Sequence, residues 1–298
     1  MKKYTFTKRA IVAVAASLVA LAACGGSTES SEASDTTVAS VTHRIVSLSP
    51  TATEMLYAIG AGDQVVAVDS LSTYPADVAP KITKISAYEP SAEAILGYTP
   101  DVVLISNDMN KISEQLTAAN KSLQVWTGAA ATTIDDVYKQ INELGTLTGH
   151  TKEATALVDS MTSRISKATS SVTPNTALSY YYELDNTYYS VTSNTFVGAL
   201  LKPFGMKNIA DGVEAGNDYP QLNAEAIAKA NPSVIFLADT KCCAITAAKV
   251  AARAGWSGID AVKNGNVVEL DDDVASRWGP RVVDLVESFA TAVAKLTK

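Results

Sequence analysis

Apolar and polar residues follow two regular patterns over residues 41–298. Short apolar runs, such as 44–48 and 65–68, predict buried β-strands, and the segments between such runs carry apolar residues at helical spacing. Strands that alternate with helices in this way are typical of an α/β fold with largely parallel sheets. We therefore expect an α/β architecture from about residue 41 to the end of the sequence.

Two stretches of this pattern repeat one another. Residues 91–105 contain a helix-capping residue, a short helix with Glu93, a proline break and a buried strand. Residues 223–237 follow the same order at an offset of 132 residues, and Glu225 takes the position of Glu93. The repeat predicts two similar lobes.

A helical segment lies between the two copies. Apolar residues recur there at helical spacing on both sides of Gly149, and Pro174 ends the segment. The sequence thus predicts an N-terminal lobe at 41–132, a connecting helix at 133–174 and a C-terminal lobe at 175–298. One long helix between the lobes predicts a rigid pair that rotates by only a few degrees when a ligand binds.

The first 40 residues differ in composition from the rest. Four basic residues precede a short apolar run, which ends in Leu-Ala-Ala and is followed by Cys24. This is the pattern of a bacterial lipoprotein signal peptide at 1–23, and the thiol of Cys24 then carries the lipid. The alternative is an ordinary signal peptide followed by a chance cysteine. Residues 24–40 are small and polar, which predicts a flexible tether and an extracytoplasmic domain that is lipid-anchored to the cell membrane.

Charge and composition narrow the function classes. Without residues 1–23 the chain has 20 basic and 31 acidic residues, a net charge of −11, which argues against nucleic acid as a partner. No pattern ties His43 or His150 to a nucleophile or to a cluster of metal ligands. The sequence therefore predicts neither an enzyme nor a protein with a cofactor or a metal ion of its own.

Two cysteines stand side by side in the second lobe. Cys242 and Cys243 are adjacent, whereas the cysteine ligands of a zinc site are normally separated by about two to four residues. In an oxidising location they either form a strained disulfide or stay reduced.

Short motifs occur in a characteristic order along residues 43–298. They are 44–50 with Glu54, 66–68, Tyr74-Pro75, Glu93 with 100–103, 208–210, 219–221 with Glu225, Trp256, 262–265 and 279–281. In this order the chain resembles the class III periplasmic binding proteins, the group that binds cobalamin and ferric siderophores. The resemblance implies two Rossmann-like lobes joined by a single long rigid α-helix, and a role as the substrate-binding protein of an ABC importer.

The resemblance also implies partners. In this family one glutamate on each lobe docks with the permease, and by motif position these are Glu93 and Glu225. Two carboxylates related by the repeat suit a permease dimer with its ATPase, because complementary charge sets register and association rate. The alternative is that both glutamates only stabilise the positive end of a helix.

The cargo of such a protein binds between the lobes, at the loops that follow the strands. Aromatic side chains in these loops suit a large, flat and partly apolar metal chelate: a corrinoid such as cobalamin, a ferric siderophore or haem. Arg277 is expected to pair with a carboxylate or phosphate of the cargo. The candidate ligand-binding residues are Tyr74, Tyr88, Asn107, Trp126, Tyr182, Tyr219, Asp239, Arg277 and Trp278.

Two other functions compete with this interpretation. A binding protein for free zinc or manganese has a related plan, but it needs several histidine ligands that this sequence lacks. A surface lipoprotein that binds another protein is favoured if the lobes form no small-molecule cleft.

Overall fold

The computed structural model describes residues 42–297, which form one compact unit. The predicted signal peptide, the lipidation site at Cys24 and the tether lie outside the described residues.

The first lobe is built on a four-stranded parallel sheet. Its strands stand in the order β2-β1-β3-β4, and β1 and β3 are buried along their whole length. The elements of this lobe are β1 (Ile45–Leu48), α1 (Pro50–Ala58), β2 (Val65–Val68), α2 (Ala92–Leu96), β3 (Val102–Ile105), α3 (Ile112–Ala119) and β4 (Gln124–Thr127).

The second lobe repeats this topology. Its parallel strands stand in the order β6-β5-β7-β8, so that β7 takes the place of β3. Its elements are β5 (Ser179–Glu183), α6 (Phe196–Leu201), β6 (Lys207–Asn208), α7 (Ala224–Ala230), β7 (Val234–Leu237), α8 (Ala247–Ala251), α9 (Asp260–Lys263), β8 (Val267–Glu269), α10 (Asp272–Ala275) and α11 (Val282–Leu296). The predicted α/β fold with two similar lobes is confirmed.

The predicted connector consists of two helices, α4 (Ile134–Thr148) and α5 (Thr151–Ser170). Gly149 ends α4 at a φ of +77°, a conformation that glycine adopts readily. The helix α4 packs on α1 of the first lobe, and the 20-residue α5 packs on both α4 and α11. The long helix that leads from one lobe to the other is therefore α5.

Helix caps explain several of the observed boundaries. Thr133 and Asp136 form a reciprocal capping box at α4, and hydrogen bonds from Thr132 and Thr133 lower the pKa of Asp136 to about 2. Ser91 caps α2 and Asn223 caps α7 through their side-chain oxygens. The two caps occupy equivalent places in the sequence repeat.

The largest apolar cluster is continuous through both lobes. It includes Leu104 of β3, Met161 of α5, Phe236 of β7 and Phe289 of α11. The opposite face of each sheet packs into a smaller cluster within its own lobe. A shared core of this size supports the predicted rigid pairing of the lobes. Among the helices of residues 42–297, none is long and apolar enough to cross a membrane.

Candidate ligand cleft

Exposed apolar side chains gather in loops that follow the strands. Leu71 follows β2, Met109 follows β3 and Tyr189 follows β5, and all three are exposed. The loops after parallel strands meet at one edge of the sheet, which is where open α/β sheets bind ligands. Exposed apolar groups at this edge mark a candidate binding surface.

A pocket of about 230 Å³ lies between the lobes. The first lobe contributes the loop before α4, and the second lobe contributes the start of α6 and the loop between α10 and α11. The lining residues are Ala130, Ala131, Leu184, Val191, Thr195, Phe196, Val197, Tyr219, Ala275, Ser276, Arg277, Trp278 and Leu285. Both lobes are required to form this pocket, and most of its lining is apolar or aromatic.

A glutamine of α4 holds the two sides of the pocket in place. Gln140 donates to the carbonyl oxygen of Ala129 at 2.7 Å and accepts from the indole nitrogen of Trp278 at 3.3 Å. The amide therefore links a loop of the first lobe to a pocket-lining ring of the second. The sequence offered one signal for this role, since Gln140 is a polar residue on the otherwise apolar face of α4 that carries Val137 and Ile141.

A buried ion-pair cluster also joins the lobes. Glu54 of α1, whose side chain is 2% exposed, accepts from Arg281 Nε at 2.9 Å and Nη2 at 2.6 Å, and from Arg277 Nη1 at 3.0 Å. Arg281 also stacks over the ring of Tyr74, 4.0 Å from its centre. The hydrogen bonds that Arg281 donates to Glu54 raise the pKa of Arg281, so this guanidinium remains charged.

Arg277 borders the pocket, and its guanidinium has partners within the protein. Besides Glu54 it pairs with Asp273 at 2.8 Å and donates to the carbonyl oxygen of Leu71 at 3.3 Å. The guanidinium is thus engaged within the protein and joins the lobes, although its side chain still borders the pocket. The role of Glu54 was missed because its partners lie more than 220 residues away in sequence.

A second buried ion pair lies within the C-terminal lobe. Glu183, at the end of β5, binds Arg253 through two bonds of 2.6 Å. Asp239 follows β7 and is fully buried, and neither of its carboxylate oxygens has a hydrogen-bond partner within residues 42–297. Burial, together with the charge of Glu183, raises the pKa of Asp239 to about 7.

Two predicted contact residues are corrected by their burial. Tyr182 has no exposed surface, because its side chain faces the shared core and donates to the carbonyl oxygen of Ala275 at 3.3 Å. It therefore cannot touch a ligand in the cleft of this structure. Asp239 is likewise enclosed and presents no surface to the cleft.

The remaining predicted residues divide into two groups. Tyr219 and Trp278 line the pocket with Arg277. The others stand outside the pocket: Tyr74 under Arg281, Trp126 donating to Glu143 at 3.2 Å, and Tyr88 and Asn107 on exposed loops. Phe196 lines the pocket and was not predicted, since nothing in its sequence context separates it from a core residue.

The two predicted docking residues occupy matching positions. Glu93 lies in the first turn of α2 and Glu225 in the first turn of α7, and both are exposed. Cys242 and Cys243 are free thiols whose sulfur atoms lie 2.6 Å apart. Within residues 42–297 there is no group of three or more His, Cys, Asp or Glu side chains arranged to hold a metal ion.

Comparison with known proteins assigns the family. The periplasmic binding protein family matches residues 45–274 of this chain. The chain is 33% identical over 266 residues to an uncharacterised ABC transporter substrate-binding lipoprotein of Bacillus subtilis, with 87% of this chain and 82% of that protein covered. It is 31% identical over 285 residues to a cobalamin-binding protein of Halobacterium salinarum, with 92% and 76% covered.

A solved structure gives the same result. A possible iron-binding periplasmic solute-binding protein of Staphylococcus epidermidis superposes with a TM-score of 0.70 at 26% identity, covering 85% of this chain and 99% of that one. The chain belongs to the periplasmic binding protein family, with the class III fold. It is a substrate-binding component of an ABC transporter and not an enzyme, as the sequence predicted.

Proposed function

We propose that the protein captures a metal chelate in the cleft between its lobes and delivers it to an ABC permease. A corrinoid such as cobalamin is the preferred cargo, and a ferric siderophore or haem is the alternative. The protein acts outside the cytoplasm, anchored through a lipid on Cys24.

The lining of the interlobe pocket is the observation that carries this proposal. Trp278, Tyr219 and Phe196 supply aromatic area from the second lobe, and Ala130 and Ala131 close the pocket from the first. Such a surface suits a flat organic ligand, whereas a bare zinc or manganese ion needs a set of nitrogen and oxygen ligands. The pocket is smaller than a corrinoid, so the proposal places only part of the cargo in it and the rest against the exposed loops around it.

The charges around the pocket favour a corrinoid over a strongly anionic catecholate complex. Arg277 is the one cation among the described residues that line the pocket, and Glu54 and Asp273 already neutralise it. Lys241, in the loop after β7, is paired with Asp271 and Asp273. An anionic cargo would have to break such pairs, which a weakly charged corrinoid does not require. The 31% identity to a cobalamin-binding protein supports the same choice.

Titration of residues 40–298 with cobalamin, haem and a panel of ferric siderophores tests the cargo. We expect saturable one-to-one binding of cobalamin in calorimetry, with a change in tryptophan fluorescence. Trp278→Ala should weaken binding by roughly 30-fold, because it removes a large aromatic contact from the pocket. Tyr98→Ala is the control, since this exposed tyrosine precedes β3, at the opposite end of the strand from the ligand loops, and lies outside the pocket; it should leave the affinity unchanged. Binding of none of these chelates, or of free zinc alone, would reject the proposal.

Charge reversal tests the docking of the permease. Glu93→Lys together with Glu225→Lys should abolish uptake in cells and leave cargo affinity intact, because both residues lie at helix starts outside the pocket. Glu153→Lys, an exposed glutamate in the first turn of α5, is the control. Unchanged uptake in the double variant would contradict docking through these residues.

Replacement of the lipidation residue tests the anchor. Cys24→Ser should move the protein from the membrane fraction to the soluble fraction. Retention at the membrane would show that the attachment does not depend on the thiol of Cys24.

A further inference from the structure

The loop after β7 holds two thiols side by side. Cys242 is exposed, and Cys243 is half-buried against the apolar cluster that contains Trp256. Their sulfur atoms lie 2.6 Å apart, and neither forms a disulfide within the part of the chain that the structure describes. Neither cysteine lines the cleft pocket, so the function proposed above does not use them.

Contacts that do not involve sulfur hold this loop in place. The carboxylate of Asp272 accepts hydrogen bonds from the backbone nitrogens of Lys241 at 2.9 Å and Cys242 at 2.8 Å, and from the hydroxyl of Thr240 at 2.8 Å. The ammonium group of Lys241 binds Asp271 at 2.8 Å and Asp273 at 3.0 Å. The backbone is therefore fixed before any ligand arrives, which lowers the entropy lost when both sulfurs bind one atom.

We propose that Cys242 and Cys243 form a second ligand site that takes a monosubstituted trivalent arsenical across both sulfurs. A metal ion in tetrahedral coordination needs further protein ligands, and the described residues supply no third one here. A linear two-coordinate ion needs its sulfurs on opposite sides, whereas these sulfurs are adjacent. Trivalent arsenic that carries one organic group has two exchangeable positions on the same side, which suits two adjacent sulfurs.

The reaction is balanced without an oxidant or a reductant. An organoarsenic oxide reacts with the two thiols to form two As–S bonds and one molecule of water. The oxygen leaves arsenic and takes both thiol protons, and arsenic stays trivalent. Partial desolvation and the neighbouring thiol raise the pKa of Cys242 to about 12, so this thiol enters the reaction protonated.

Phenylarsine oxide is the probe, applied to residues 40–298 in reduced form, where Cys242 and Cys243 are the only cysteines. Intact mass spectrometry should show one phenylarsenic group per chain, and titration with a thiol reagent should show that both thiols are lost together. A small dithiol should reverse the adduct and a monothiol should not. Cys242→Ser and Cys243→Ser should each weaken binding by at least about a hundredfold, because the second As–S bond is then absent.

A further comparison shows whether the fold builds the site. Asp272→Ala frees the loop while keeping both thiols, and the same chain unfolded in urea lacks the loop altogether, so each should bind several-fold more weakly. The proposal is overturned if no adduct forms, if either single cysteine variant binds as tightly as the parent chain, or if the unfolded chain binds equally well.

Discussion

The two lobes share one strand order but differ at the ends of their third strands. Asn107 stands two residues after β3 and is exposed, and Asp239 stands two residues after β7 and is fully buried. The two residues are 132 positions apart and are therefore equivalent in the repeat. The shared strand pattern sets the backbone, whereas the surrounding loops decide whether the same position is solvated or enclosed.

The lobes also differ in the hydrogen-bond partners of their buried carboxylates. In the first lobe, one oxygen of the buried Asp69 accepts from the backbone nitrogen of Ser72 at 2.8 Å. In the second lobe, Arg253 satisfies Glu183 but leaves both oxygens of Asp239 without a partner. The second lobe therefore carries the larger unfavourable desolvation of a charged group.

Two buried glutamates, each bound to a partly buried arginine, provide the sharpest comparison. Glu54 binds Arg281 across the lobe interface, and Glu183 binds Arg253 within the second lobe. Removing either carboxylate leaves a partly buried guanidinium without its counter-charge. Glu54→Ala and Glu183→Ala should each lower the free energy of unfolding by about 3–5 kcal/mol in urea denaturation.

Solution scattering should separate these two variants. We expect Glu54→Ala to broaden the distribution of lobe orientations, because it removes a contact between the lobes, whereas Glu183→Ala should keep the parent profile. Glu54→Gln and Glu183→Gln serve as controls of the same shape. A loss below about 1 kcal/mol for Glu54→Ala would mean that the shared apolar core alone holds the lobes together.

Replacing Asp239 after β7 by asparagine, the residue at the equivalent position after β3, should change how the free energy of unfolding depends on pH. The pKa of Asp239 is about 7 in the folded protein, above its ordinary value of 3.8, so the folded state holds the proton more tightly than the unfolded chain. The contribution of Asp239 to the free energy of unfolding is fully present below pH 3.8 and is lost as the pH rises to about 7. Asp239→Asn removes this loss and should raise the free energy of unfolding by roughly 2–4 kcal/mol at pH 8 relative to its effect at pH 4.

The equivalent change in the first lobe is the control. Asn107→Asp places a carboxylate at an exposed position, where water solvates it, and should leave the pH profile unchanged. Thermal unfolding of both variants between pH 4 and pH 8 gives the comparison. Equal profiles for Asp239→Asn and the parent chain would show that water or Arg253 already stabilises the ionised Asp239.

The sequence predicted the alternating strands and helices and the two similar lobes, because both features depend on local patterns. Apolar runs placed β3 and β7. Side chains alternate along a strand, which puts Tyr181 of β5 on the face opposite Tyr180 and Tyr182, and the packing of the clusters agrees. The same alternation left open which face meets the cleft. Tyr182 was therefore included among the ligand contacts although it faces the core.

Contacts between distant segments could not be predicted in this way. Glu54 and Arg281 are 227 residues apart, and no periodicity links α1 to the start of α11. Arg277 was identified as a cation near the cleft, but its partners are set by how the lobes meet. The helix stop at Gly149 was present in the sequence, and the structure shows that it separates α4 from α5.

The smallest expected effect concerns the hydrogen bonds that connect the two sides of the pocket. Gln140→Ala removes the donor to Ala129 and the acceptor for the indole of Trp278. A hydrogen bond of this kind makes a net contribution of about 1 kcal/mol. Cargo affinity should therefore fall by roughly three- to tenfold while the fold remains intact. Gln124→Ala is the control, because this exposed glutamine begins β4, at the opposite end of the strand from the ligand loops, and should leave cargo affinity unchanged. Calorimetric titration of both variants with cobalamin would show whether Gln140 organises the pocket. Equal affinities would mean that Trp278 keeps its place through packing alone.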